Sequence, residues 1–203
     1  MSTVLDLNKF ITIAENTPKV YESGKNEERE RFWYGALNNK QNVAFEYTFA
    51  DSVWNDVTLD IPEKYLPLKP SSTNYMFRSC GATVLPSVDF TGCETLRYTY
   101  SYARNAVTIG TVILRDDGTN VFSNTFSSCD DLVNITFDGV IGDSVTFASS
   151  RYLSSDSVDN IIEHLADLTG KQAETLTFHS AVGNKLTDTQ KTAIQNKNWD
   201  LAY

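Results

Sequence analysis

Five times between residues 77 and 150 an aromatic side chain stands three residues before a small one: FRSC (77–80), FTGC (90–93), YSYA (100–103), FSSC (126–129) and FASS (147–150). A spacing of three suits neither a strand, with its period of two, nor a helix, with its period near 3.6. An apolar residue follows three positions on in four copies: Leu96, Ala106, Leu132 and Leu153. The FRSC copy departs, with Thr83 there and Val84 next. Cys80 to Ala103 is 23 residues, Ala103 to Cys129 is 26, and Cys129 to Ser150 is 21, with FTGC falling mid-period. An imperfect repeat of this length predicts a solenoid, in which each unit is too small to bury its own face and stacks on its neighbours.

The repeat assigns a core. Phe77, Cys80, Phe90, Cys93, Leu96, Phe126, Cys129, Leu132, Ile135 and Leu153 are expected to point inward. Small residues belong where adjacent coils approach closely. Three cysteines cannot complete a disulfide framework, and no Cys-x-x-Cys spacing exists, so buried, reduced thiols are expected. Segments 106–114, 132–141 and 144–149 read as strands lining a sheet.

With TFSSCDDLVNI (125–135) as its best copy, the chain resembles the BspA-like leucine-rich repeat proteins, whose core reads Ala-Phe-x-x-Cys-x-x-Leu-x-x-Ile. Thr125 replaces the Ala, and the resemblance covers residues 71–153. The C-terminal segment looks like the tail that closes such repeats in proteins of gut Firmicutes and their prophages. The resemblance implies an α/β fold, a short leucine-rich-repeat solenoid wound as a right-handed β-α superhelix. It also implies surface adhesion or host-receptor recognition.

Four regions are expected. Residues 1–40 form an N-terminal helical extension, with Pro18 in the first turn and Glu27 and Arg31 paired four apart. Residues 41–70 form an extended edge strand and linker, since Pro62, Pro67 and Pro70 forbid a helix. Residues 71–153 hold the repeats. Residues 154–203 form a helix–strand–helix cap. In that cap Val158, Ile161, Ile162, Leu165 and Leu168 make a helical stripe ended by Gly170, ETLTFH (174–179) alternates as a strand, and TDTQ (187–190) carries a capping box.

The formal charge of −9 argues against nucleic acid as partner. No apolar run reaches the roughly 18–20 residues of a membrane span. The N-terminus lacks a basic region followed by an apolar one, so Sec export is not expected. That leaves virion association with release by lysis, a cytoplasmic chain, or non-classical export. Catalytic groups do not assemble: His164 sits beside the helix stripe, His179 ends a strand, and Asp116 and Asp117 before Gly118 read as a hairpin turn. No metal or cofactor is expected.

One stretch suits recognition. In RYTYSYAR (97–104), Tyr98, Tyr100 and Tyr102 alternate between Arg97 and Arg104. A strand would put the three rings on one face, whereas the repeat frame puts Tyr100 in the core. Tyrosine gives contact area and a hydroxyl at low entropy cost. The expected function is therefore a non-catalytic module binding a protein or glycan through Arg97, Tyr98, Tyr102 and Arg104. The alternative is a structural phage or prophage tail-associated protein, forming a homo-oligomer through residues 1–40.

Overall fold

The computed structural model describes residues 3–6, 43–44, 57–60 and 66–203. Among the described residues fourteen elements run in chain order. They are β1 (Thr3–Asp6), β2 (Val43–Ala44), β3 (Val57–Asp60), β4 (Pro70–Ser72), β5 (Val84–Leu85), β6 (Val88–Asp89), β7 (Thr108–Ile113), β8 (Asn134–Asp138) and β9 (Val145–Phe147). Then come α1 (Ser155–Glu163), β10 (Glu174–Phe178), α2 (Ser180–Gly183), α3 (Asp188–Asn196) and β11 (Trp199–Ala202). Every strand pair described is parallel. One sheet runs β1-β3-β5-β7-β6, with β8 also on β7; a second runs β11-β10-β9, and β2 pairs with β4.

Register passes from Thr58 to Val84, Thr108 and Asn134. Inside each strand the alternation sets the buried face: Ile109 and Val112 in β7, Ile135 and Phe137 in β8. β5 and β6 are two pieces of one lane interrupted at Pro86 and Ser87, because proline gives the ladder no N–H. The Ser87 hydroxyl accepts from the Thr111 N–H at 2.9 Å. Gly110 opposite must stay bare: a Cβ there would lie 2.6 Å from Ser87 N.

The aromatic-x-x-small frame becomes a column. Phe77 stacks on Tyr100 at 5.4 Å, Tyr100 on Phe126 at 5.6 Å, Phe126 on Phe147 at 4.9 Å and Phe147 on Phe178 at 6.2 Å. Phe90 belongs to another lane and meets Tyr100 edge-on at 6.3 Å. Phe77, Phe90, Leu96, Phe126, Leu132, Ile135 and Leu153 are all buried. Threonine forms an inner rail, with the Thr99 hydroxyl donating to the Thr73 carbonyl at 3.0 Å and the Thr125 hydroxyl to the Leu96 carbonyl at 2.9 Å.

At three small positions of the frame, Cys93, Cys129 and Ser150, the side chain also donates; Ala103 fills its place by size alone. The Cys129 thiol donates to the Tyr100 carbonyl at 3.1 Å, and the Ser150 hydroxyl to the Cys129 carbonyl at 3.0 Å. The Cys93 thiol likewise reaches the Pro70 carbonyl at 3.2 Å. Each joins one coil to the one before. Cys80, Cys93 and Cys129 are free and buried. Burial pushes the Cys93 thiol up to about 11 and the Cys129 thiol up to about 12. Since the thiolate is the reactive form, labelling with a maleimide at pH 8 should be slow in the native protein and rapid after denaturation. Labelling of three thiols in the native state at the denatured rate would contradict this.

The leucine-rich-repeat β-α superhelix expected from the sequence is not what forms. The described helices number three, and all follow residue 154. In a β-α repeat, a helix or 3₁₀ turn would connect successive strands. Here the connection is a pair of tight turns interrupted by left-handed residues: Tyr75 and Ser79, Tyr98 and Tyr102, Asn124 and Ser128, all with φ between 53° and 60°. Left-handed backbone every four residues cannot continue a right-handed helix. Hydrogen bonding alternates accordingly. The N–H groups of Tyr98, Tyr100 and Tyr102 donate to Ser123, Thr125 and Ser127 of the next coil, whereas those of Thr99, Ser101 and Ala103 close local turns.

The flanks also differ from expectation. Thr3–Asp6 is a strand on β3, and the rest of the expected N-terminal helix lies outside the described residues. β3 is no edge strand, since it lies between β1 and β5. The segment after 154 contains the expected helix, strand and helix as α1, β10 and α3, with the Thr187–Gln190 capping box, and adds α2 and β11; β10 pairs with β9, and β11 with β10, so the parallel stacking continues through it. α1 stops at Glu163, short of Leu165 and Leu168, because Ile141 donates to the His164 carbonyl and accepts from Ala166 N–H. Asp117 does cap a turn, through the Thr119 N–H at 3.0 Å, but β7 and β8 are parallel, so no hairpin exists there. α1 closes the free edge of β8: Ser157 Oγ accepts from Ile135 N–H at 3.0 Å and Asn160 Oδ1 from Phe137 N–H at 2.6 Å.

Tyr100 carries the one hydroxyl in the column. It is fully buried, its Oη has no hydrogen-bond partner, and burial raises its pKa. Tyr100→Phe should therefore stabilise the fold by about 1 kcal/mol. A urea midpoint shifted upward is the expected reading; a loss of stability would show that the hydroxyl is satisfied in solution.

A candidate tyrosine–arginine binding face

The turns that replace helices also build the surface. At a left-handed residue followed by an inward-pointing one, the side chain projects away from the core. Tyr98 and Tyr102 occupy two such positions, and Tyr100 between them is buried. The three rings therefore do not share a strand face. Tyr98 is half-buried and Tyr102 is 43% exposed.

The register places Tyr75 of the preceding coil against Tyr98. Their rings stack at 4.9 Å and 9°. Arg78 stands over Tyr75 at 5.7 Å, Arg97 over Tyr98 at 5.3 Å and Arg104 over Tyr102 at 5.6 Å. A guanidinium over an exposed ring contributes about 0.5–1 kcal/mol and holds the planar group in place. Arg104 is also 3.6 Å from Asp130. Among the described residues Arg78 and Arg97 form no ion pair; the only two such pairs are Lys69–Asp89 and Arg104–Asp130. Two uncompensated cations thus flank a stacked tyrosine pair on a chain of net charge −9.

All four expected site residues lie on this surface. Tyr75 and Arg78 were missed, and so was a further pair, Arg151 over Tyr152 at 5.7 Å. A sequence signal existed: Arg recurs within three residues of a Tyr in each case.

The histidines make backbone contacts. His164 Nδ1 lies 2.7 Å from the Gly139 carbonyl oxygen, and His179 Nδ1 accepts from Ala181 N–H at 3.0 Å as the cap of α2. Among the described residues no group of three or more His, Cys, Asp or Glu is arranged to hold a metal ion. Among them, too, no helix is long and apolar enough to cross a membrane.

No family model matches the chain, and comparison with curated proteins and with solved structures finds no match.

Proposed function

We propose that the chain is a non-catalytic binding module that recognises a glycan or protein partner through the face formed by Tyr75, Arg78, Arg97, Tyr98, Tyr102 and Arg104. The observation that carries this reading is the stacked Tyr75–Tyr98 pair with a guanidinium over each ring. Stacked rings on stacked coils form a rigid platform, and little side-chain entropy is lost when a partner docks on it. The arginines add fork-shaped donors for carboxylate or hydroxyl groups. Adhesion or receptor recognition at a cell surface is the setting in which such a face would act. The reading rests on these side chains and not on a leucine-rich superhelix.

The test is a panel of immobilised glycans and surface proteins probed with the wild type and Arg97→Lys. Lysine keeps the charge but loses the planar stack on Tyr98. Binding to at least one ligand, weakened about tenfold by Arg97→Lys, is expected. A ligand bound equally by both proteins would place recognition elsewhere.

A further inference from the structure

A second feature lies away from this face. The starts of α1 and α3, together with α2, enclose a cleft of about 350 Å³. Leu153, Val158, Val182 and Leu186 line it, each at most 8% exposed. That volume falls at the lower end of the range for small-molecule sites. Two of the polar side chains on its wall are already engaged. Thr187 and Gln190 cap α3 for each other, and Gln190 Nε2 donates to Asp159 at 2.7 Å.

Two lining groups remain unspent. Arg151 and Lys185 are exposed and form no ion pair with a described residue. No Asp or Glu is among the lining residues. The lining itself thus carries two cations and no anion, with Asp159 held by the lining Gln190, on a chain of net charge −9. Arg151 lies over the Tyr152 ring at 5.7 Å, which fixes the guanidinium plane at the cleft. Tyr152 itself is 54% exposed.

We propose that this cleft binds a small molecule whose apolar body ends in a carboxylate. The body would lie on Leu153, Val158, Val182 and Leu186, and the carboxylate would meet Arg151 and Lys185. An uncharged apolar ligand would leave both cations unused. A strongly hydrated dianion would lose solvation against the apolar floor without enough donors to replace it. A monoanion matches the donors present.

The experiment is a nuclear magnetic resonance titration of the full chain with octanoate, beside octanol and octylamine. Saturable shifts at Val158, Val182 and Leu186 are expected with octanoate, about tenfold weaker with octanol, and absent with octylamine. Arg151→Gln with Lys185→Gln should weaken octanoate about tenfold and leave octanol unchanged. Both positions are exposed, so the melting temperature should hold; the octylamine arm uses only wild type and decides the sign of the charge regardless. An apolar peptide with a free C-terminus, run beside its amide, separates a peptide carboxylate from a free acid as the source. Equal binding of octylamine, no saturation with either carboxylate below about 10 mM, or an unaffected double variant would overturn the proposal.

Discussion

Phe126→Ala is expected to destabilise the protein by about 3–5 kcal/mol, the largest effect of any single truncation in the column. The ring is 1% exposed. It stacks between Tyr100 and Phe147, meets Phe137 edge-on at 6.0 Å and lies 6.3 Å from Phe122. Its removal takes away the apolar transfer of a whole ring, leaves a cavity, and cuts the column in two. Collapse of the neighbours into the space is resisted by their bonds to the coil beside them: Tyr100 N–H to the Thr125 carbonyl, Phe122 N–H to the Asp143 carboxylate and Phe137 N–H to Asn160 Oδ1, with Phe147 held in β9 against β10. Phe126→Leu keeps most of the volume and should cost less. Urea unfolding gives both values from the midpoints at constant slope. A change below about 1 kcal/mol for Phe126→Ala would mean that the stacked column is not the core.

Asn120→Ala should cost about 2–4 kcal/mol, through polar groups and not volume. The residue is fully buried. Its Oδ1 accepts from Arg115 N–H at 2.7 Å, and its Nδ2 donates to the carbonyls of Cys93 at 2.8 Å and Phe90 at 3.2 Å. One side chain thus joins the Phe90–Cys93 turn to a residue 27 to 30 positions later, and truncation would take its partner from the Arg115 N–H and from the Cys93 carbonyl, while the Phe90 carbonyl keeps the Cys93 N–H at 2.9 Å. Asn120→Asp sharpens the test. Its carboxylate would face the two carbonyl oxygens, which raises its folded-state pKa. Stability should then be highest below about pH 4 and fall as pH rises through that raised pKa, where the unfolded state ionises more readily. A variant of wild-type stability at neutral pH would contradict the bonding pattern.

The core was legible because it repeats. The frame of aromatic, two residues, then a small residue put Phe77, Tyr100, Phe126 and Phe147 in equivalent places, and alternation in ETLTFH added Phe178. The connection between strands was not legible. Left-handed backbone is signalled by Gly and Asn, yet of the six left-handed turn positions Tyr75, Ser79, Tyr98, Tyr102, Asn124 and Ser128 only Asn124 conforms. Bulky residues accept that conformation only where the surroundings impose it, and the N–H bonds to the neighbouring coil do so. A short resemblance in the TFSSCDDLVNI copy therefore pointed to the wrong connecting element. Four of the six residues of the proposed face, Arg97, Tyr98, Tyr102 and Arg104, were visible in RYTYSYAR. The rest depends on Tyr75 meeting Tyr98 across the register between coils, a distance that composition and local spacing do not encode.

The same geometry supplies a clean probe of the face. Tyr98→Asn removes the ring while placing a residue that tolerates positive φ, as Asn124 does at the corresponding position one coil on. Its melting temperature should equal or exceed that of the wild type. The measurement that bears most directly on the account is the affinity of Tyr98→Asn for the ligand that the wild type binds best, taken beside its melting curve. The account predicts an unchanged fold and an affinity at least about tenfold weaker. Unchanged affinity in a fully folded variant would contradict it and remove the tyrosine–arginine face from the function.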